Sequence, residues 1–327
     1  MAITQTDFSA LTDDLQEIWN ETAKTKIDEV VGNKLFQVRD TNRRTHDELI
    51  LHGVSGISEV TPGQDLPTVT SEQGDQITYT QRYFGGTFAV TKEMRKFDLY
   101  DQIEGLARSL TEDAFDSIDQ SYADVLGFGW STTYTDVWGG TVTSTGPDGV
   151  ALISASHSND TTSRTYDNRI LNSAGTPDPV VSRDAIVYTR SLAMRYKDPN
   201  ALVRPIMLDT IVVTPVNEDA VERILYSTQL SGSANNDINP LKGKLTNLIV
   251  WPRLTTLTGG TDAAQYWFLC QKSKVGETLK AKFAERPSLD APEQIYANKN
   301  WTYSCDFFYT VGIGFEAFLY GSRGTAV

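Results

Sequence analysis

Between Thr91 and Trp130, apolar residues recur at Leu99, Ile103, Leu106, Leu110, Ala114, Ile118, Tyr122 and Val125. Steps of three and four lay one apolar stripe along a helix. No proline interrupts the run, and Gly127 and Gly129 supply a stop. A helix from Lys92 to Leu126 would be roughly 50 Å long at ~1.5 Å per residue, against a mean helix of about 11–12 residues. The pattern predicts a rod on which other elements lie.

Elsewhere the pattern is weaker or of another period. Leu11, Leu15, Ile18, Trp19, Ile27, Val30 and Val31 give residues 1–35 a faint helical stripe, with Ser9 or Thr12 as N-cap. Such an arm must bury its stripe on its own domain or on a neighbour, and Trp19 calls for burial in either case. From 46 to 90 the β-prone pieces Gly56–Val60, Leu66–Thr70 and Gln76–Tyr83 alternate with the turn signals Pro62-Gly63 and Gly74-Asp75. Few large apolar residues are present there. The segment predicts a long projecting β-hairpin, with Gly85-Gly86 breaking the strand before Thr87–Val90 enters the rod.

Beyond the rod, Ser131–Asp148 reads as loop or edge strand, and Gly146 to Gly149 as a tight turn. A strand is expected at Val150–Ala155 and loop at Ser156–Pro179. Ser182 is expected to cap a helix from Arg183 to Tyr196, and Asn217 to cap one carrying Ala220, Val221, Ile224 and Leu225. Strands are expected at Ile206–Val213, Leu245–Trp251, Gln265–Gln271, Leu279–Phe283, Trp301–Phe308 and Val311–Phe318. The second half therefore predicts a mixed sheet with helices on it. No internal repeat is visible.

Charge changes this picture at two places. Glu112, Asp113, Asp116, Asp119 and Asp124 crowd the second half of the rod, and no Lys or Arg occurs between Arg108 and Arg164. Carboxylates near a helix C-terminus oppose its dipole. The stripe is either a solvated face or the seat of basic groups from another subunit. Arg39, Arg43 and Arg44 form the best internal basic cluster to meet such a surface.

A net charge of −13 argues against sequence-specific DNA reading, which shows a basic footprint. It leaves room for a container around nucleic acid. The two cysteines, Cys270 and Cys305, make no disulfide framework and are expected as buried free thiols. No secretory signal is expected from the first residues, and no apolar run approaches the ~18 residues of a membrane span.

Chemistry is sparse. His46, His52 and His157 are not in ligand spacing with one another or with cysteine. There is no HExxH, CxxC, P-loop, GxGxxG or GxSxG pattern. Ser154, Ser156 and His157 are neighbours in sequence, but His157 is expected to be an ordinary loop histidine. Gly312 and Gly314 predict close backbone approach or a bulge within a strand. No enzyme, cofactor or metal site is expected.

Three stretches carry a resemblance. YFGGTFAVTKEM (Tyr83–Met94) resembles the strand leading from the extended loop into the spine helix of tailed-phage major capsid proteins. DGVALISASHSN (Asp148–Asn159) resembles a segment that follows that helix, and RPIMLDTIVVTPVNEDAVERIL (Arg204–Leu225) resembles an axial-domain strand, turn and helix. This shell fold is shared with encapsulins and the herpesvirus capsid floor. The resemblance implies an α+β chain with an N-terminal arm (1–37) and an extended β-hairpin loop (46–86). It implies a peripheral domain (38–45 and 87–180) holding a spine helix at 91–127, an α/β axial domain (181–294) and returning C-terminal strands (295–327).

The implied function is a self-assembling head protein, forming hexamers and pentamers of an icosahedral shell around double-stranded DNA. The alternative is an encapsulin-type shell around an enzyme cargo. Implied partners are other copies, a scaffolding protein, a portal, in some systems a decoration protein, and packaged DNA touched non-specifically; no membrane is implied. Localisation would be the virion, with assembly in the host cytoplasm. The extended loop is reached within about fifty residues, so the resemblance implies either a separate scaffolding protein or a chain already trimmed of a scaffold segment, and Met1 favours the former. The 51–81 segment has no Lys, which argues against a cross-linking lysine there. Expected inter-subunit contacts are Arg39, Arg43, Arg44 and Arg82 against Glu112, Asp116 and Asp119, with Trp19 on the arm. An adhesin or accessory protein fits the rod poorly, and a soluble enzyme would need a site assembled from scattered residues.

Overall fold

The computed structural model describes residues 5–51, 59–66, 73–97, 100–159, 164–198, 202–229, 237–295 and 300–325. The chain forms two compact units. One comprises Met1–Thr45, Thr80–Tyr122 and Ala281–Val311; the other comprises His46–Tyr79, Ala123–Lys280 and Gly312–Val327.

The first unit begins with the arm helix Gln5–Glu29, which buries Leu15 and Trp19. A 3-10 turn, Val31–Lys34, ends it. Gly32 is required there, because a Cβ would stand 2.1 Å from a ring carbon of Tyr122. Phe36 also meets Tyr122, with ring centroids 4.4 Å apart. The apolar stripe of the arm thus packs within its own subunit, and Trp19 lines a cavity of about 410 Å³ with Ile27, Phe115, Ile118 and Phe283.

The predicted single rod is two helices. Lys92–Lys96 is a short turn capped by Thr91, whose Oγ1 accepts the Met94 N–H at 3.2 Å. Phe97 leaves the helical region at φ −102°, ψ 15°. The long helix then runs Tyr100–Gly127, and residues 98–99, with Leu99 of the predicted stripe, lie outside the described residues. Ile103, Ala107, Ala114, Ile118 and Tyr122 are buried along it, whereas Leu106 is exposed. At 3.6 residues per turn, Ala107 takes the inward position that a strict step of three had given to Leu106.

The first unit's sheet has five strands. Gln37–Asp40, Leu279–Leu289, Asn300–Ile313 and Glu293–Ile295 lie in that order, and Arg82–Val90 also pairs with Asn300–Ile313. That pairing is antiparallel, from Trp301 opposite Val90 to Tyr309 opposite Arg82. Gly85 and Gly86 therefore do not break the strand. They let it close up: a Cβ on Gly85 would sit 3.0 Å from the Cys305 carbonyl oxygen, and one on Gly86 would meet Leu110 of the long helix at 3.2 Å.

The second unit holds a four-stranded sheet in the order Asn247–Val250, Thr210–Val213, Trp267–Cys270, Leu319–Ser322. The first pair is parallel and the others antiparallel. Helices Arg183–Ala193 and Glu218–Tyr226 pack on it through Ile186, Ala193, Val221 and Leu225. Ser182 caps the first as expected, accepting the Ala185 N–H at 3.2 Å. Asn217 does not cap the second; it closes a 3-10 turn, Pro215–Asn217, that leads directly into the helix.

Val150–Ala155 is not a strand and contributes only a bridge from Ala151 to Thr145. Val311–Phe318 is also not one strand. The ladder stops at Ile313, a 3-10 turn follows at Glu316–Phe318, and Leu319–Ser322 begins anew. Gly314 causes the stop: its N–H turns to the Thr278 carbonyl at 2.7 Å, and a Cβ would lie 2.1 Å from the Glu277 carbonyl oxygen.

The hairpin pairs Thr45–Leu51 with Gln73–Thr80. Most of the expected pieces Gly56–Val60 and Leu66–Thr70 lie outside the described residues, and Glu59, Val60 and Leu66 are not in strands. The Pro62-Gly63 turn is present, with Gly63 at φ 92° and the Gln64 N–H on the Thr61 carbonyl at 3.1 Å. At the hairpin base the Tyr79 hydroxyl donates to the Ile313 carbonyl at 3.1 Å, and Lys280 pairs with Glu48. Gly312 makes room for the Tyr79 ring, which a Cβ would approach to 2.2 Å.

Candidate functional site

The acidic stripe divides by burial. Glu112 and Asp113 are exposed and Asp116 is half-buried. Asp119 is 5% exposed, and its Oδ1 accepts the Gly32 N–H at 3.0 Å. Asp124, in the second unit, is sealed and accepts both the N–H and the hydroxyl of Thr258. These two carboxylates act as backbone caps inside the chain. The arm helix also supplies a cation in cis. The hydrogen bond to Glu29 raises the pKa of Lys26, and the charges of Asp116 and Glu112 add to it.

Arg39, Arg43 and Arg44 are exposed, and none of these three arginines forms an ion pair with Glu112, Asp113 or Asp116. Arg82 is half-buried and stands over the Phe84 ring at 5.0 Å. Trp19 is 3% exposed within its own unit. The surface stripe is therefore shorter than the sequence implied, centred on Glu112, Asp113 and Asp116.

Sequence reasoning missed a second cluster. His157 is not a loop histidine in solvent: it lies in the strand His157–Asn159 and is completely buried. Its Nδ1 lies 2.8 Å from Asp148 Oδ2 and 3.6 Å from Glu316 Oε1. Tyr166, from the partner strand Arg164–Tyr166, stacks on the imidazole at 5.2 Å and donates its hydroxyl to Glu316 Oε1 at 2.7 Å.

Asp148 is fixed by its turn, where Gly149 takes φ 76° and the Val150 N–H reaches Asp148 Oδ1 at 3.0 Å. Burial raises the Asp148 pKa, but the His157 hydrogen bond and charge outweigh it and leave it lowered. Burial lowers the His157 pKa, and the Asp148 hydrogen bond with both carboxylate charges leaves it raised. Burial pushes Glu316 up to about 7. The one signal in the sequence was Glu316 itself, a lone carboxylate inside the apolar run VGIGFEAFLY.

A sheet packed on a long helix, a β-hairpin and a helix-covered sheet make up the architecture. Three solved capsids share the architecture. The capsid of the cyanophage P-SCSP1u is 12% identical, with a TM-score of 0.53, over 90% of this chain and 87% of that one. The capsid of Ralstonia phage GP4 is 12% identical, TM-score 0.53, over 85% and 82%. The mature capsid of bacteriophage PhiM1 is 12% identical, TM-score 0.53, over 90% and 86%. Compared sequence to sequence, the chain matches none of the curated proteins.

The family model of phage capsid proteins matches residues 74–320, most of the chain, and the chain belongs to that family. Its role is structural, and its fold is the α+β tailed-phage capsid fold that the three stretches above resembled.

Proposed function

We propose that this chain is the major head subunit of a tailed phage, assembling as hexamers and pentamers into an icosahedral shell that encloses double-stranded DNA. On this reading, residues 1–37 are the arm and 46–86 the extended loop. Residues 38–45 and 87–180 make the peripheral domain, 181–294 the axial domain, and 295–327 the returning strands. A scaffolding protein and a portal act during assembly in the host cytoplasm, and a decoration protein is compatible with the outer surface. No helix among the described residues is long and apolar enough to cross a membrane.

The observation that carries the assembly contact is a pair of charge clusters of opposite sign at the surface of the first unit. Glu112 and Asp113 are exposed on the long helix beside the half-buried Asp116, and Arg39, Arg43 and Arg44 are exposed near the arm. In a shell, the arginines of one copy, with Arg82, meet the carboxylates of the next. One exposed pair contributes only ~0–1 kcal/mol, so the effect depends on repetition over many copies.

The test is electron microscopy and light scattering of the chain co-expressed with its scaffolding protein. Uniform closed shells are expected from the native chain. Asp116→Lys should leave a folded subunit that fails to close shells, and Arg43→Glu with Arg44→Glu in the same chain should restore part of the assembly. Normal shells from Asp116→Lys alone would remove the charge contact, and a small closed oligomer from the native chain would remove the shell reading.

A further inference from the structure

Asp148, His157 and Glu316 come from three separate stretches of the second unit, yet their ligand-capable atoms all lie within 4.8 Å of one another. The side chains are sealed, at 2%, 0% and 4% exposure. The Nδ1 separations of 2.8 Å and 3.6 Å from the two carboxylate oxygens bracket the edge of a metal tetrahedron. That edge is ~3.3 Å when each ligand stands ~2.0 Å from a Zn²⁺ centre.

One polar atom in the cluster, Glu316 Oε2, has no hydrogen-bond partner among the described residues. A buried carboxylate oxygen in that state has lost its water without gaining a partner. No Lys or Arg among the described residues forms an ion pair with Asp148 or Glu316. Gly146 lets the turn pack closely against both carboxylates: a Cβ there would stand 3.0 Å from Asp148 Oδ1 and 3.2 Å from Glu316 Oε2.

We propose that Asp148, His157 and Glu316 bind one Zn²⁺ ion per chain, with water as the fourth ligand, and that the ion ties the C-terminal segment to the Gly146–Gly149 turn. One imidazole nitrogen with two carboxylate oxygens suits a borderline ion; Ca²⁺ and Mg²⁺ prefer oxygen alone. The ion takes the place of the proton between Nδ1 and Asp148 and gives the two carboxylates a shared cation. Tyr166 is the outer support, its hydroxyl holding Glu316 Oε1 in place. The inference is independent of the assembly reading, since the site lies within one unit of one chain.

The experiment uses the full chain, stripped with a chelator, reloaded with zinc chloride and passed through gel filtration. About one equivalent of zinc per chain by mass spectrometry is expected. Loading should raise the unfolding temperature, and Co²⁺ in place of zinc should give the visible bands of four-coordinate cobalt. Glu316→Gln keeps an acceptor for Tyr166 and removes one anionic ligand, so zinc affinity should fall about tenfold or more. Asp148→Asn serves the same purpose should the first variant fail to fold. A reloaded native chain that retains no zinc and shows no cobalt bands would overturn the site, as would full zinc retention in a folded variant. The cluster would then be a hydrogen-bonded proton site.

Discussion

In the four-stranded sheet every residue of Thr210–Val213 and Trp267–Cys270 is buried, whereas along Arg82–Val90 in the five-stranded sheet burial alternates and Tyr83 stands 61% exposed. The first pattern comes from runs such as TIVV and WFLC, apolar or nearly so at each position, which suit a strand covered on both faces. The second comes from a strand with one half-buried and one exposed face. Phe84 and Phe88 face Phe307 and Tyr303 of the neighbouring strand, with ring centroids 5.6 Å and 5.1 Å apart. Its other face carries Tyr83, Thr87 and Phe308, with Tyr83 hydrogen-bonded to Asp306 at 2.9 Å. One sheet is a finished core. The other keeps an apolar-tinged surface, a useful property in a subunit whose neighbours are copies of itself.

The strongest way to break this comparison is Trp267→Ala. The residue is fully buried, and its indole N–H holds the Pro179 carbonyl at 3.0 Å. Removing it should destabilise the subunit by ~3–5 kcal/mol in denaturant unfolding. The long helix offers a sharper version on one element. Asp119→Ala leaves the buried Gly32 N–H without its acceptor and should cost about 1–3 kcal/mol, read as a lower urea midpoint. Glu112→Ala, seven residues away on the exposed side, should stay within about 0.5 kcal/mol. The smallest effect belongs to the open sheet face: Tyr83→Ala should also stay within about 0.5 kcal/mol in the unassembled subunit. A loss as large as that of Trp267→Ala would mean that this face is closed within the chain.

The parts legible in the sequence were those with one dominant period. The long helix was visible because its stripe persists over many turns, and the buried strands because TIVV and WFLC admit little else. The double glycine at 85–86 was ambiguous, since the same residues mark a break or a close approach, and only the partner strand decides. The acidic stripe was legible as charge but not as geometry. Asp119 meets a backbone N–H 87 positions away, and no local pattern reports that. The histidine cluster was hidden for the same reason, because its carboxylates lie 9 residues before and, in Glu316, far downstream of His157. The resemblance supplied the architecture and stayed silent on that cluster.

Cys270 and Cys305 are both free and buried, and burial pushes each thiol up to about 12. Neither presents the thiolate that oxidants and disulfide exchange require. The covalent structure of the chain is therefore insulated from the redox state of its surroundings, because both of its thiols are held where oxidants find no thiolate to attack.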